Sequence, residues 1–235
     1  MLAVAAGCIV AVCYSELSHV EVGPMTGNAI ATGVSIGARG SNAMLTRAVA
    51  IVAFVLGVAA GVAVAEECSR HRVRRVLAST LGLELLLLAA FLWWVAASAG
   101  ASRLNATSPW PLDGLVALPA LAMGMQTAAL RRVGGQTVRT VYVSGVVTRA
   151  AEEAVRYVYW RRDRRRGATQ VPWHNEPTPR RIALLAGIFV MYAVGAIAGG
   201  WLDAEWHVWA LVAPLALLAV VACADAAIDV GPPAR

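Results

Sequence analysis

The sequence predicts an all-α protein: a polytopic transmembrane helical bundle of about six spans plus two broken or re-entrant polar segments. Three observations carry that prediction. Hydrophobic residues make up 59% of the chain and charged residues only 14%, whereas soluble domains carry about 25% charged residues. The apolar residues come in long uncharged runs, at 49–65, 85–100 and 182–202, close to the ~20 residues that a bilayer core requires. The basic residues cluster between such runs, the pattern of cytoplasmic loops. A net charge of +6 would point to nucleic acid in a soluble protein, but this placement argues against a nucleic-acid partner.

The elements follow in order. Six spans can be drawn, at about 2–20, 45–66, 76–98, 114–131, 181–202 and 206–228. The first lacks a basic leader and a small-residue cleavage site, and is read as a membrane helix rather than a signal peptide. Between the first two spans lies 22–42, and between the fourth and fifth lies 133–148. Both are polar and glycine-rich, and each holds a stretch too short and too polar for an ordinary span, MTGNAIATGVSIG and TVRTVYVSGVV. Irregular backbone at membrane depth survives only where it is buried in protein or lines a wet cavity. Both segments are therefore candidate half-helices, with two ordinary loops as the alternative.

Arginine sets the expected orientation. All twenty basic residues are arginine. Arg70, Arg72, Arg74 and Arg75 follow the second span, and nine arginines lie between Arg149 and Arg181 in and around a basic loop at 150–180. Both groups are placed in the cytoplasm, with both termini. Arg39 and Arg47 then fall on the wrong side; letting both polar segments cross, for eight spans, is the alternative.

Two pseudo-repeats, 1–100 and 114–230, are expected within one membrane domain. Ala5-Ala6-Gly7 matches Ala122-Met123-Gly124, Thr26-Gly27 matches Ser144-Gly145, and Gly57/Gly61 match Gly195/Gly199. Three spans per half make the repeat inverted, a recurrent plan of secondary transporters. The paired glycines themselves read first as helix-packing positions.

Polar residues inside spans are costly and mark function. Glu84, about 12 Å into its span at 1.5 Å per residue, is a candidate for proton or ion coupling, or else pairs with a neighbouring helix. Gln126 and Thr127 lie mid-span. Thr26, Gly27 and Asn28 would bind substrate or cap the half-helix that they begin. Arg139, Thr140, Tyr142, Ser144 and Gly145 form the matching group. Arg139 beside a helix start would favour an anion, or would anchor topology at the interface. The four cysteines show neither metal nor redox spacing. No nucleophile elbow, zinc motif or phosphate loop is present, so neither an enzyme nor a cofactor is expected.

The blocks MTGN at 25–28, AMGMQTAALRRVGG at 122–135 and TVYVSG at 140–145, together with the two GxxxG spans, resemble the YoaK family of bacterial membrane proteins. The resemblance implies a multi-span inner-membrane protein of unassigned activity. The family pattern has an acid near Ala11, an aromatic near Glu21, an Asn near Thr127 and a Thr near Ser144, and this chain departs from it at all four. If the first-span acid carries protons in the family, Glu84 serves alone here. The expected partners are the lipid bilayer and a small-molecule or ion substrate, with homo-oligomerisation open. The functional expectation is a secondary transporter of a small solute, anionic if Arg139 contacts it, bound near the midplane between the two broken helices. A passive channel and a non-transporting scaffold are the alternatives.

Overall fold

A computed structural model describes residues 1–38, 42–71, 76–98, 109–129, 143–165 and 179–227. All regular structure among these residues is helical. The order is α1 (Leu2–Glu16), α2 (Met25–Gly37), α3 (Asn42–Arg70), α4 (Val76–Ser98), α5 (Pro109–Ala129), α6 (Val143–Arg165), α7 (Pro179–Trp206), a 3-10 turn (His207–Leu211) and α8 (Val212–Ala227).

Three helical stretches are long and apolar enough to cross a bilayer: Met44–Cys68, Val76–Ala97 and Pro179–Ala227. The last holds 49 residues. At 1.5 Å per residue it would extend about 74 Å, more than twice the ~30 Å hydrocarbon core. It is broken at His207, whose φ of 51° lies in the left-handed region, and by the 3-10 turn, of which Val208, Ala210 and Leu211 are buried. The apolar helices Leu2–Glu16 and Gly114–Ala128 are shorter.

The helix glycines fix how these elements meet. A Cβ on Gly57 of α3 would strike the Leu121 carbonyl of α5, and one on Gly61 would lie 2.8 Å from the Ala128 Cβ and 3.0 Å from the Met125 carbonyl. In reverse, a Cβ on Gly124 would meet the Phe54 carbonyl and stand 2.9 Å from the Val58 amide nitrogen. The α1–α7 pair has the same form. Gly195 faces the Val4 carbonyl, a Cβ on Gly199 would stand 2.7 Å from the Cys8 carbonyl, and one on Gly7 would strike the Tyr192 carbonyl and stand 2.9 Å from the Ala196 amide nitrogen. Contacts advance together along both members of each pair, so each pair is parallel. A glycine inside a helix costs about 1 kcal/mol against alanine; here the loss is offset by backbone-to-backbone packing that no side chain permits.

The core fills between the pairs. Ile9, Leu17, Leu81, Leu88, Phe91, Leu115, Met123, Leu211 and Leu218 are fully buried. Trp94 covers Gly114, where a Cβ would stand 2.9 Å from the indole, and so sets the register of the α4–α5 hairpin. At the other end of α4 the Asp225 carboxylate of α8 accepts the Ala78 amide at 3.0 Å, capping the first turn of α4 from across the bundle. Trp201, Ile197, Val194 and Leu86 face outward, as lipid-facing positions must.

One expectation changes. The region 150–180 was expected as a basic loop, but α6 runs unbroken through Arg165. Ala150, Ala151, Glu152, Glu153 and Ala154 are strong helix formers, and the arginines that signal a loop by charge carry no penalty in a helix. Arg47, on the unexpected side by the arginine rule, donates to the Ser35 hydroxyl of α2 at 3.4 Å.

Candidate functional site

Three polar groupings break the apolar interior. The first is built on the link between α1 and α2. α1 ends where Ser18 and His19 adopt left-handed φ angles of 53° and 61°, and the His19 amide donates back to the Tyr14 carbonyl at 3.0 Å. The chain then doubles back through Val20 and Val22, both buried. Glu16 lies beside His207, at the far end of α7, with 3.5 Å between its carboxylate and Nδ1. Glu21, five residues on, is within electrostatic reach of Tyr192, midway along the same helix.

Backbone drawn partly out of water needs partners, and Asn28 supplies them for Glu21. Its Oδ1 accepts the Glu21 amide at 3.0 Å, and its Nδ2 donates to the Glu21 carbonyl at 2.6 Å. The Glu21 carboxylate accepts the Gly27 amide at 3.2 Å, placing negative charge at the positive end of α2. A Cβ on Gly27 would lie 2.6 Å from the Glu21 carboxyl carbon, so only glycine admits the carboxylate here. Of the candidate triplet Thr26-Gly27-Asn28, Gly27 and Asn28 thus hold the link and the start of α2.

Asn28→Ala removes two hydrogen bonds of about 1 kcal/mol each and leaves the half-buried Glu21 backbone without those partners. A loss of about 3 kcal/mol is expected in detergent-solubilised thermal unfolding, with Asn28→Asp recovering part of it through the retained acceptor.

The second grouping lies in the core. Glu84 and Gln126 are fully buried, and neither oxygen of the first nor either amide atom of the second has a partner among the described residues. Glu84 shares its helix stripe with Leu81, Leu88 and Phe91, all fully buried. With Trp94 level with Gly114, running back along α4 and forward along α5 brings Glu84 and Gln126 to within about one turn in height. Thr127 is spent locally, its hydroxyl donating to the Met123 carbonyl at 2.8 Å.

The third is Glu16, Asp203, Cys13 and His207, at the shared end of α1 and α7. Glu16 and Asp203 are 6% and 8% exposed, Asp203 Oδ1 has no partner among the described residues, and the charges of both carboxylates reach Cys13. None of the described clusters has the makings of a metal site.

The matching half is only partly visible. Arg139, Thr140 and Tyr142 lie outside the described residues. Ser144 is exposed, its carbonyl accepting the Thr148 hydroxyl at 2.9 Å, and Gly145 is half-buried beside it in the first turn of α6. α2 packs on α3 and α6 on α7. Sequence reasoning singled out Gly57, Gly61, Gly195 and Gly199 as packing positions, and they are helix contacts here. It gave no role to Glu21, Glu16 or Asp203. The available signal for Glu21 was an acid placed just before a proline-led helix start.

Comparison with known proteins places the chain. A curated relative, the UPF0700 transmembrane protein YoaK of Bacillus subtilis (strain 168), is 22% identical over 218 residues, covering 93% of this chain and 88% of that one. No solved structure matches. The model of the family described as "Protein of unknown function (DUF1275)" matches residues 1–224, and the chain, a membrane protein by its spans and its relative, belongs to that family.

Proposed function

We propose that this protein is a secondary transporter of a small solute in the bacterial inner membrane, built as an inverted repeat of residues 1–100 and 114–230. The carrying observation is the correspondence of the glycine contacts. Gly7 meets Tyr192 and Ala196 as Gly124 meets Phe54 and Val58; Gly57 meets Leu121 as Gly195 meets Val4; Gly61 meets Met125 as Gly199 meets Cys8. The residue offset between equivalent positions is constant within each helix. The start of α6 follows the start of α2, Met25 to Val143, at within one residue of the spacing that relates α1 to α5. Each parallel pair takes one helix from each half, as in transporters whose repeats interlock about a central site.

On this reading 17–24 and α2 form a re-entrant segment whose helix starts deep beside Tyr192, with α6 and the residues before it as the counterpart. Arginines at the end of α3 and the start of α7 put those ends, and both termini, in the cytoplasm. The α1–α7 and α3–α5 pairs would move as units against each other. Glu84 of α4 and Gln126 of α5 form the ion-coupling site on this reading, because a buried carboxylate with no partner among the described residues calls for a proton or a cation. Arg139 in the second polar segment favours an anionic solute.

The test is reconstitution into liposomes, with a panel of small organic anions and an imposed pH gradient. Saturable, gradient-driven uptake that disappears in Glu84→Gln is expected. Flux that ignores the gradient and does not saturate would make the protein a channel, and no flux of any solute would leave a scaffold.

A further inference from the structure

The basic end of α6 carries more order than an orientation signal requires. Tyr157, Arg161 and Arg165 follow one another at successive turns, with Val158 and Arg162 on the adjacent row, and together they line an open groove of about 500 Å³. No carboxylate among the described residues pairs with Arg161, Arg162 or Arg165, whereas Glu153, further back on α6, is held by Arg181 at 3.4 Å. That ion pair ties α6 to the start of α7, where the apolar run begins, so the groove lies close to the arginine-rich end of that run. Beside the groove Tyr157 stacks on Trp160, with ring centroids 5.9 Å apart, and Arg164 lies 5.1 Å from the centre of the Trp160 ring. Val155, Val158 and Tyr159 are each more than half exposed.

The orientation rule asks only for positive charge near span ends. It does not call for three guanidinium groups around one groove, unpaired among the described residues, beside stacked aromatics and bare valines. Guanidinium forks match phosphate oxygens in pairs, Tyr and Trp settle at headgroup level, and exposed valines suit the acyl boundary.

We infer that this face of α6 is a binding site for the headgroup of an anionic phospholipid in the leaflet next to the arginine-rich side. Arg161, Arg162 and Arg165 hold the phosphate, while Tyr157, Trp160 and Val158 hold the glycerol and upper chain. The inference rests on α6 lying at a membrane face and is independent of whether the protein transports anything.

The experiment uses full-length protein in detergent. Phosphatidylglycerol and phosphatidylcholine are titrated separately, with bound lipid counted by native mass spectrometry, for wild type and for the triple variant Arg161→Gln, Arg162→Gln, Arg165→Gln. At roughly fivefold in affinity per arginine near an anionic surface, a weakening of roughly a hundredfold for phosphatidylglycerol is expected in the triple variant, with phosphatidylcholine binding weak and unchanged. All three residues are exposed, so an unchanged melting temperature without lipid should show that the variant folds. Equal phosphatidylglycerol affinity in the two proteins, or equal affinity of wild type for both lipids, overturns the inference. So does displacement of the lipid by free glycerol phosphate or a short RNA at matched charge concentration, which would assign the groove to a soluble polyanion.

Discussion

Gly57→Val and Gly195→Val are each expected to collapse the yield of monodisperse protein and to lower stability by about 3 kcal/mol, the upper end of the usual overpacking cost. At both positions the added Cβ would run into a carbonyl of the facing helix, that of Leu121 or of Val4. A flexible side chain could swing away, but a helix backbone cannot. The pair must separate, and membrane helices have little hydrophobic force to hold them once close packing is lost. Gly200→Val and Gly187→Val are the controls, because a Cβ at either site has nothing within 4 Å. Thermal unfolding in detergent, read by intrinsic tryptophan fluorescence, should group the variants by contact and not by sequence. Similar losses for Gly57→Val and Gly195→Val are further expected if the halves are equivalent. A Gly57→Val variant as stable as Gly200→Val would remove the α3–α5 packing from the account.

The second large effect concerns Glu84, where stability and activity should part company. Its carboxylate is fully buried and its oxygens have no partner among the described residues, an arrangement that costs free energy whichever protonation state it holds. Glu84→Leu continues the stripe of Leu81, Leu88 and Phe91 and removes the unsatisfied atoms. A gain of about 1–3 kcal/mol is expected, seen as a higher unfolding midpoint. The same variant should have no gradient-driven uptake, as should Glu84→Gln, whose stability stays near wild type. A sharply destabilised Glu84→Leu would instead identify the carboxylate as a structural partner and remove it from ion coupling. Natural sequences keep such costly groups where function needs them.

The sequence by itself determined the helices and the medium. Uncharged runs of bilayer length place α3, α4 and α7 within a few residues of their observed bounds, because a long run of Val, Leu and Ala has no other way to satisfy its backbone in lipid. It also marked Gly57, Gly61, Gly195 and Gly199, since small residues four apart form a stripe on any helix. Charge misled at 150–165, where arginine density suggested a loop and local helix propensity prevailed.

Tertiary structure alone decided which surfaces meet. Nothing in the order of residues says that Gly57 faces Leu121 rather than the next helix in the chain, or that Gly195 faces Val4. Those pairings join segments far apart in sequence, and they depend on how whole helices cross. The same holds for the polar groups. Thr26, Gly27 and Asn28 were legible as a helix start, but the acid that Gly27 admits and the backbone that Asn28 holds belong to Glu21, brought there by a buried link. Glu84 was visible as an acid within a span. Its full burial, with no partner among the described residues, became visible only once the bundle had closed around it, because burial is a property of the neighbours and not of the residue.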